Sequence, residues 1–198
     1  ELKKEMEKGL VHSPVKSGDC NSCHQPHAGP VKALLVTEKK DLCGKCHSLS
    51  GMAITTAHKG FDISNSDCQN CHAPHVGQKG KKGLLLPQSH KPFTAGECEK
   101  CHTGTSGTDL VAEGKELCAQ CHEKVSTMMV KPVIHPALEG SRGCVACHGP
   151  HVGFGKGLQK KDGVQQCLSC HNDTEFTGAV RHEPAFDDCT TCHDPHSS

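Results

Sequence analysis

The chain has 198 residues, among them 16 Cys and 17 His. Cys makes up about 8% of it, there is no Trp or Tyr, and only five Phe are present, too little apolar side chain for an ordinary core of this length. Lys+Arg and Asp+Glu are both 22, so no net basic field points to nucleic acid, and no apolar run approaches the roughly 20 residues of a membrane-spanning helix.

The chain starts at Glu1 rather than Met, as a processed exported protein would. A short helix is expected over Glu1–Leu10, with Leu2 and Met6 on one face. His12 then precedes the first of a series of C-x-x-C-H runs, Cys20-Asn-Ser-Cys23-His24, which leads into His27 through x-Pro-His. Lys39-Lys-Asp-Leu leads into Cys43-Gly-Lys-Cys46-His47. His58 precedes Cys68-Gln-Asn-Cys71-His72, followed by the x-Pro-His of His75. His90 precedes Cys98-Glu-Lys-Cys101-His102, where no x-Pro-His follows and Thr105 stands in its place. Lys115-Glu-Leu leads into Cys118-Ala-Gln-Cys121-His122.

The apolar stretch Ser126–Val133 is expected to pack on whatever fills the interior. His135 precedes Cys144-Val-Ala-Cys147-His148, with x-Pro-His at His151. Val164-Gln-Gln leads into Cys167-Leu-Ser-Cys170-His171. Asn172-Asp-Thr174 reads as a glycosylation tripeptide, most simply a coincidence. His182 precedes the last run, Cys189-Thr-Thr-Cys192-His193, and His196 closes it in x-Pro-His. Gly (21) and Pro (11) interrupt every longer periodic window, so secondary structure is expected to be sparse.

All 16 cysteines therefore lie in eight copies of one motif, with none left over. Two thiols three residues apart can form thioethers to the two vinyl groups on one porphyrin edge, and the adjacent His then reaches the iron from one face. Zinc ribbons use C-x-x-C pairs but require no His after the second Cys. At this His frequency, eight such coincidences would occur with a probability below about one in 10⁸. A thioredoxin-like pair needs one C-x-x-C in a βαβ setting, and a disulfide framework would not set every Cys three residues from another.

From residue 12 onward the chain resembles the multihaem c-type cytochromes of the doubled C-x-x-C-H family. The resemblance implies eight covalently bound haem c groups, thioether-linked through Cys20, Cys23, Cys43, Cys46, Cys68, Cys71, Cys98, Cys101, Cys118, Cys121, Cys144, Cys147, Cys167, Cys170, Cys189 and Cys192. The proximal iron ligands would be His24, His47, His72, His102, His122, His148, His171 and His193. The expected fold is mostly irregular coil with short α-helices, little or no β-sheet, wrapped around a closely packed row of haems. Residues 1–198 are expected to form one elongated domain of five degenerate units, about 12–47, 58–75, 90–122, 135–171 and 182–196.

Nine further histidines recur at fixed places in the motif frame, namely His12, His27, His58, His75, His90, His135, His151, His182 and His196, and are expected to supply the distal ligands. The upstream five (His12, His58, His90, His135, His182) have enough chain to cross to the first haem of their own unit. A His three residues past a proximal His is pinned to the wrong face and should serve another haem. On that logic His27 and His151 serve the haems of His47 and His171, His75 serves that of His122, and His196 is left over.

The expected function is electron transport by haem-to-haem hopping, with no enzymatic activity. The setting would be extracellular or at the cell surface, with the periplasm second. Partners would be other redox proteins or extracellular electron acceptors, with an end-to-end homopolymer as one arrangement. The alternative is a multihaem reductase of a nitrogen or sulfur oxyanion, which needs one open-coordinate iron.

Overall fold

In the computed structural model, residues 2–155, 157–171, 180 and 182–198 are described. The glycosylation tripeptide at 172–174 lies outside them. The first helix is shorter than expected: α1 spans Leu2–Met6. Strand β1 (Leu10–Val11) and helix α2 (Ser13–Ser17) follow, then α3 (Lys39–Gly44) and α4 (Met52–Ala57). Strands β2 (Val76–Gly77) and β3 (Gln88–Ser89) lead to α5 (Lys91–Ala95), α6 (Gly114–Ala119) and α7 (Glu123–Met128). Strand β4 (Val152–Gly153) and α8 (Pro184–Asp187) complete the described elements. None of these helices exceeds two turns.

The two sheets have two strands each. β1 pairs antiparallel with β2, Leu10 opposite Gly77, and β3 with β4, Gln88 opposite Gly153. A third copy of the same joint is a single bridge between Ile134 and Ser197. In all three, the N–H of an upstream His donates to the carbonyl of an x-Pro-His imidazole residue: His12 to His75, His90 to His151, His135 to His196. These joints connect segments about 60 residues apart and set the long-range order of the fold.

Polypeptide encloses little. Among the described residues only Leu35, Leu86 and Val152 are buried apolar side chains. The accessible surface is 14204 Å², whereas a compact chain of 21.1 kDa would expose about 9,000 Å². The expected apolar packing of Ser126–Val133 is absent from the protein itself: Val130 and Val133 are 81% and 62% exposed. So much open surface on a chain with ordered local turns requires a non-peptide interior.

Candidate functional site

Each C-x-x-C-H run folds into one α-turn. In all eight the N–H of the His donates to the carbonyl of the first Cys, at 2.8–3.0 Å. Residues i, i+3 and i+4 then share a face, which puts both thiols and the imidazole on one side. None of the 16 cysteines is disulfide-bonded.

The motifs are of two kinds, a first preceded by an upstream His (at Cys20, Cys68, Cys98, Cys144 and Cys189) and a second led in by a charged or amide stretch (at Cys43, Cys118 and Cys167), and they differ in how the chain enters them. In the first kind a 3₁₀ turn sits on the motif itself, as at Cys20–Ser22, Cys68–Asn70, Cys98–Lys100 and Cys189–Thr191. In the second kind a helix runs in from upstream, α3 carrying Cys43 and α6 carrying Cys118.

A loop after the first kind returns to the motif. The N–H of Val36, Leu86, Val111 and Lys160 donates to the carbonyl of the second Cys (Cys23, Cys71, Cys101 and Cys147). In three of these loops a Leu takes the left-handed backbone conformation that non-glycine residues avoid: Leu34 (φ 56), Leu84 (φ 53) and Leu158 (φ 53). The preceding carbonyl thereby turns to the proximal ring. Ala33 O, Gly83 O and Gly157 O accept from Nδ1 of His24, His72 and His148. That bond leaves Nε2 as the nitrogen available to a metal.

The imidazoles meet in pairs. Ring centroids lie 6.1 Å apart for His12 and His47, 5.9 Å for His24 and His75, and 6.0 Å for His58 and His72. The series continues with His90 and His122 at 6.0 Å, and with His102 and His151, and His135 and His171, both at 5.9 Å. His148 and His196 are 6.0 Å apart. Two metal–imidazole bonds of about 2.0 Å, plus ~1.1 Å from each nitrogen to its ring centre, span ~6 Å. Every described pair joins one motif His to one of the further histidines, across a gap of the right width for one iron. Among the described residues no three His, Cys, Asp or Glu side chains converge as a bare metal ion would need. The donor set thus fits haem iron with an imidazole on each face.

The pairing differs from the one expected from spacing. His12, His90 and His135 face His47, His122 and His171, the second motifs of their units, not the first. The reason is stiffness. α2 and α5 occupy the span between His12 or His90 and the following Cys, each stopped by a left-handed Gly (Gly18 or Gly96), so this chain is an arm, not slack. His75 faces His24 rather than the ring of His122, because the β1–β2 joint ties it to the first unit. His151 faces His102, not His171, and His196 is not left over but faces His148. Only His58 meets the proximal ring expected for it, His72. His27, His182 and His193 have no ring partner among the described residues.

Neighbouring motifs also touch through sulfur. The Cys43 thiol lies beside that of Cys68, Cys118 beside Cys144, and Cys167 beside Cys189. Burial, and then the neighbouring thiol, pushes Cys43 and Cys118 up to about 11. Burial lowers the basicity of His72, His151 and His196, which favours the neutral form that binds metal. A folded-state value below the unfolded one, about 6.5, contributes stability that is present above that pH and lost as pH falls below it.

A family model described as "Doubled CXXCH motif" matches residues 12–51, 90–127 and 135–176, more than half of the chain. The chain belongs to this family. It is a multihaem c-type cytochrome, a class that transfers electrons, and its paired motifs bind c-type haem covalently. Each matched segment opens on the upstream His of a two-motif unit, at His12, His90 or His135. The chain is also similar to "Multiheme cytochrome MtrA" of Shewanella baltica (strain OS185), at 29% identity over 42% of this chain and 32% of the relative. The chain thus spans about a third of the length of that curated relative. No helix among the described residues is long and apolar enough to cross a membrane.

What each residue of this cytochrome does can be derived from its place. The motif thiols would hold the porphyrin covalently, and the motif imidazole and its paired imidazole would hold the iron. Haem would supply a one-electron couple.

Proposed function

We propose that this chain carries electrons by hopping along eight haems, without catalysing a reaction of its own. The observation that carries this reading is the set of seven imidazole pairs at an iron-spanning gap. Iron held on both faces offers no site for substrate but exchanges electrons readily. The closeness of Cys43 to Cys68, Cys118 to Cys144, and Cys167 to Cys189 supports short hops between the groups those motifs would carry. We place the protein outside the cytoplasm, extracellular or at the cell surface before the periplasm, with other redox proteins or extracellular acceptors as partners.

A second reading, an end-to-end polymer, is favoured by two unmatched half-joints. His182-Glu183-Pro184 has the upstream form His-x-Pro of His12-Ser13-Pro14 and His90-Lys91-Pro92, yet among the described residues no x-Pro-His strand pairs beside it, and Val180 is 92% exposed. His27–Gly29 has the form of His75–Gly77 and His151–Gly153, yet no upstream strand among the described residues lies on it. In each formed joint the x-Pro-His ring closes the iron of an earlier first-kind motif. A joint between copies would bring His27 of one to the haem of His193 in the next, and such a head-to-tail interface propagates.

Electron microscopy with spin-state spectra tests both readings. Filaments with every haem low-spin, and one high-spin haem per copy plus lost filaments in His27→Ala, are expected. Separate particles with every haem low-spin would leave the carrier and remove the polymer. A stable haem in wild-type monomers that binds cyanide or nitrite and turns over the latter would favour the reductase instead.

A further inference from the structure

The seven pairs are not chemically equal. In five of the other six, at least one imidazole donates Nδ1–H to a backbone carbonyl: His24 to Ala33, His12 to Pro74, His72 to Gly83 with His58 to Ile54, His90 to Pro150, and His148 to Gly157. In the sixth, Nδ1 of His135 accepts from the N–H of Ala137 at 3.2 Å, so that pair also lacks a bond to a carbonyl, but this nitrogen does have a polar partner. The pair formed by His102 and His151 has no such bond. Nδ1 of His102 is buried with no partner. The loop that should supply one, Thr103–Val111, is tied back through Thr103 N–H to Asp109 O but contains no left-handed Leu to turn a carbonyl inward.

Two of the chain's five Phe pack on the rings of this pair, one on each. Phe61 stands edge-on to His102 at 5.1 Å and 69°. Phe93 packs on His151 at 5.3 Å.

Both features act in one direction. An Nδ1–H···O bond makes the imidazole a stronger donor and favours ferric iron. Its absence weakens that preference. A dry, apolar wall disfavours the extra positive charge of the ferric state, and each of these levers raises the reduction potential. We propose that the haem on Cys98 and Cys101, between His102 and His151, has the highest potential of the set and is where a single electron comes to rest. Phe61 is the positioning residue: it keeps Nδ1 of His102 from both carbonyl and water. The row is thereby divided into two lower-potential arms joined at a sink. This rests on the two-imidazole ligation proposed above.

The test is a reductive titration of the full haem-loaded protein followed by NMR of the haem methyl groups, with this haem assigned through contacts to Phe61. It should be reduced first. In Phe61→Asn the amide oxygen can accept from Nδ1 and water can enter, so the same haem should shift down and lose its first place. Phe61→Leu, still dry, should keep the order. Another haem reduced first in the wild type overturns the proposal, whatever the variants do. So does a Phe61→Asn protein with all haems low-spin and no shift. A wild-type high-spin signal from this haem would instead refute the ligation itself.

Discussion

His75→Ala should leave one haem high-spin, and that haem should be the one on Cys20 and Cys23. The ring of His75 is the partner of His24 at 5.9 Å, and no other imidazole among the described residues comes to that side. The joint that positions it is made by backbone, His12 N–H to His75 O at 2.9 Å, and survives truncation of the side chain. About one haem equivalent should therefore bind carbon monoxide, and added imidazole should reverse the change, while the others keep their spectra. Identity is settled by a second background. In a chain with Cys20, Cys23 and His24 all replaced by Ala, His75→Ala should add no high-spin haem. If it does, the ring serves some other iron.

The second large effect comes from a glycine. A Cβ on Gly77 would lie 2.3 Å from Leu84 Cα and 2.5 Å from its carbonyl carbon. Both are backbone atoms of the returning loop, so neither can swing aside. Gly77→Ala should cost at least the 1–3 kcal/mol typical of overpacking, or roughly 2–12 °C in melting temperature for a chain of this length. More telling is its reach. β2 carries His75 and also holds the backbone of His12, so displacing it should disturb the haems of both His24 and His47. Gly80→Ala is the control. Gly80 has φ +75, but no atom lies within 4 Å of the place its Cβ would occupy, so the cost is backbone strain of about 1–2 kcal/mol with ligation intact. Melting followed at the haem absorbance, together with a count of high-spin haems, separates the two. Equal effects from both variants would mean that the close approach of β2 to the loop is not what sets the ligands.

The motif turns were legible in the residues, because C-x-x-C-H has only one compact way to present two thiols and an imidazole. The two motif kinds were legible as well, and they fold differently, a 3₁₀ turn at Cys20 against a helix into Cys43. Which imidazole meets which was not. It is decided by strands of two residues, too short to carry any alternation, and by whether the chain between His12 and Cys20 is slack or stiff. One signal was present and pointed the right way. Gly recurs two residues after the x-Pro-His ring at Gly29, Gly77 and Gly153, and at two of these the loop backbone passes within 2.5 Å of the position a Cβ would take. A glycine kept clear for crossing backbone marks a long-range joint. The bare Nδ1 of His102 could not be read from sequence, since it depends on a carbonyl that fails to turn.

The pairing also sorts the irons by when their second ligand exists as the chain is synthesised. Those of His47, His122 and His171 look back, to His12, His90 and His135, which have already been made. Those of His24, His102 and His148 look forward by about fifty residues (24 to 75, 102 to 151, 148 to 196). A haem attached at one of these forward sites would lack its second imidazole until the downstream segment docks, so folding of the later unit would complete the earlier site.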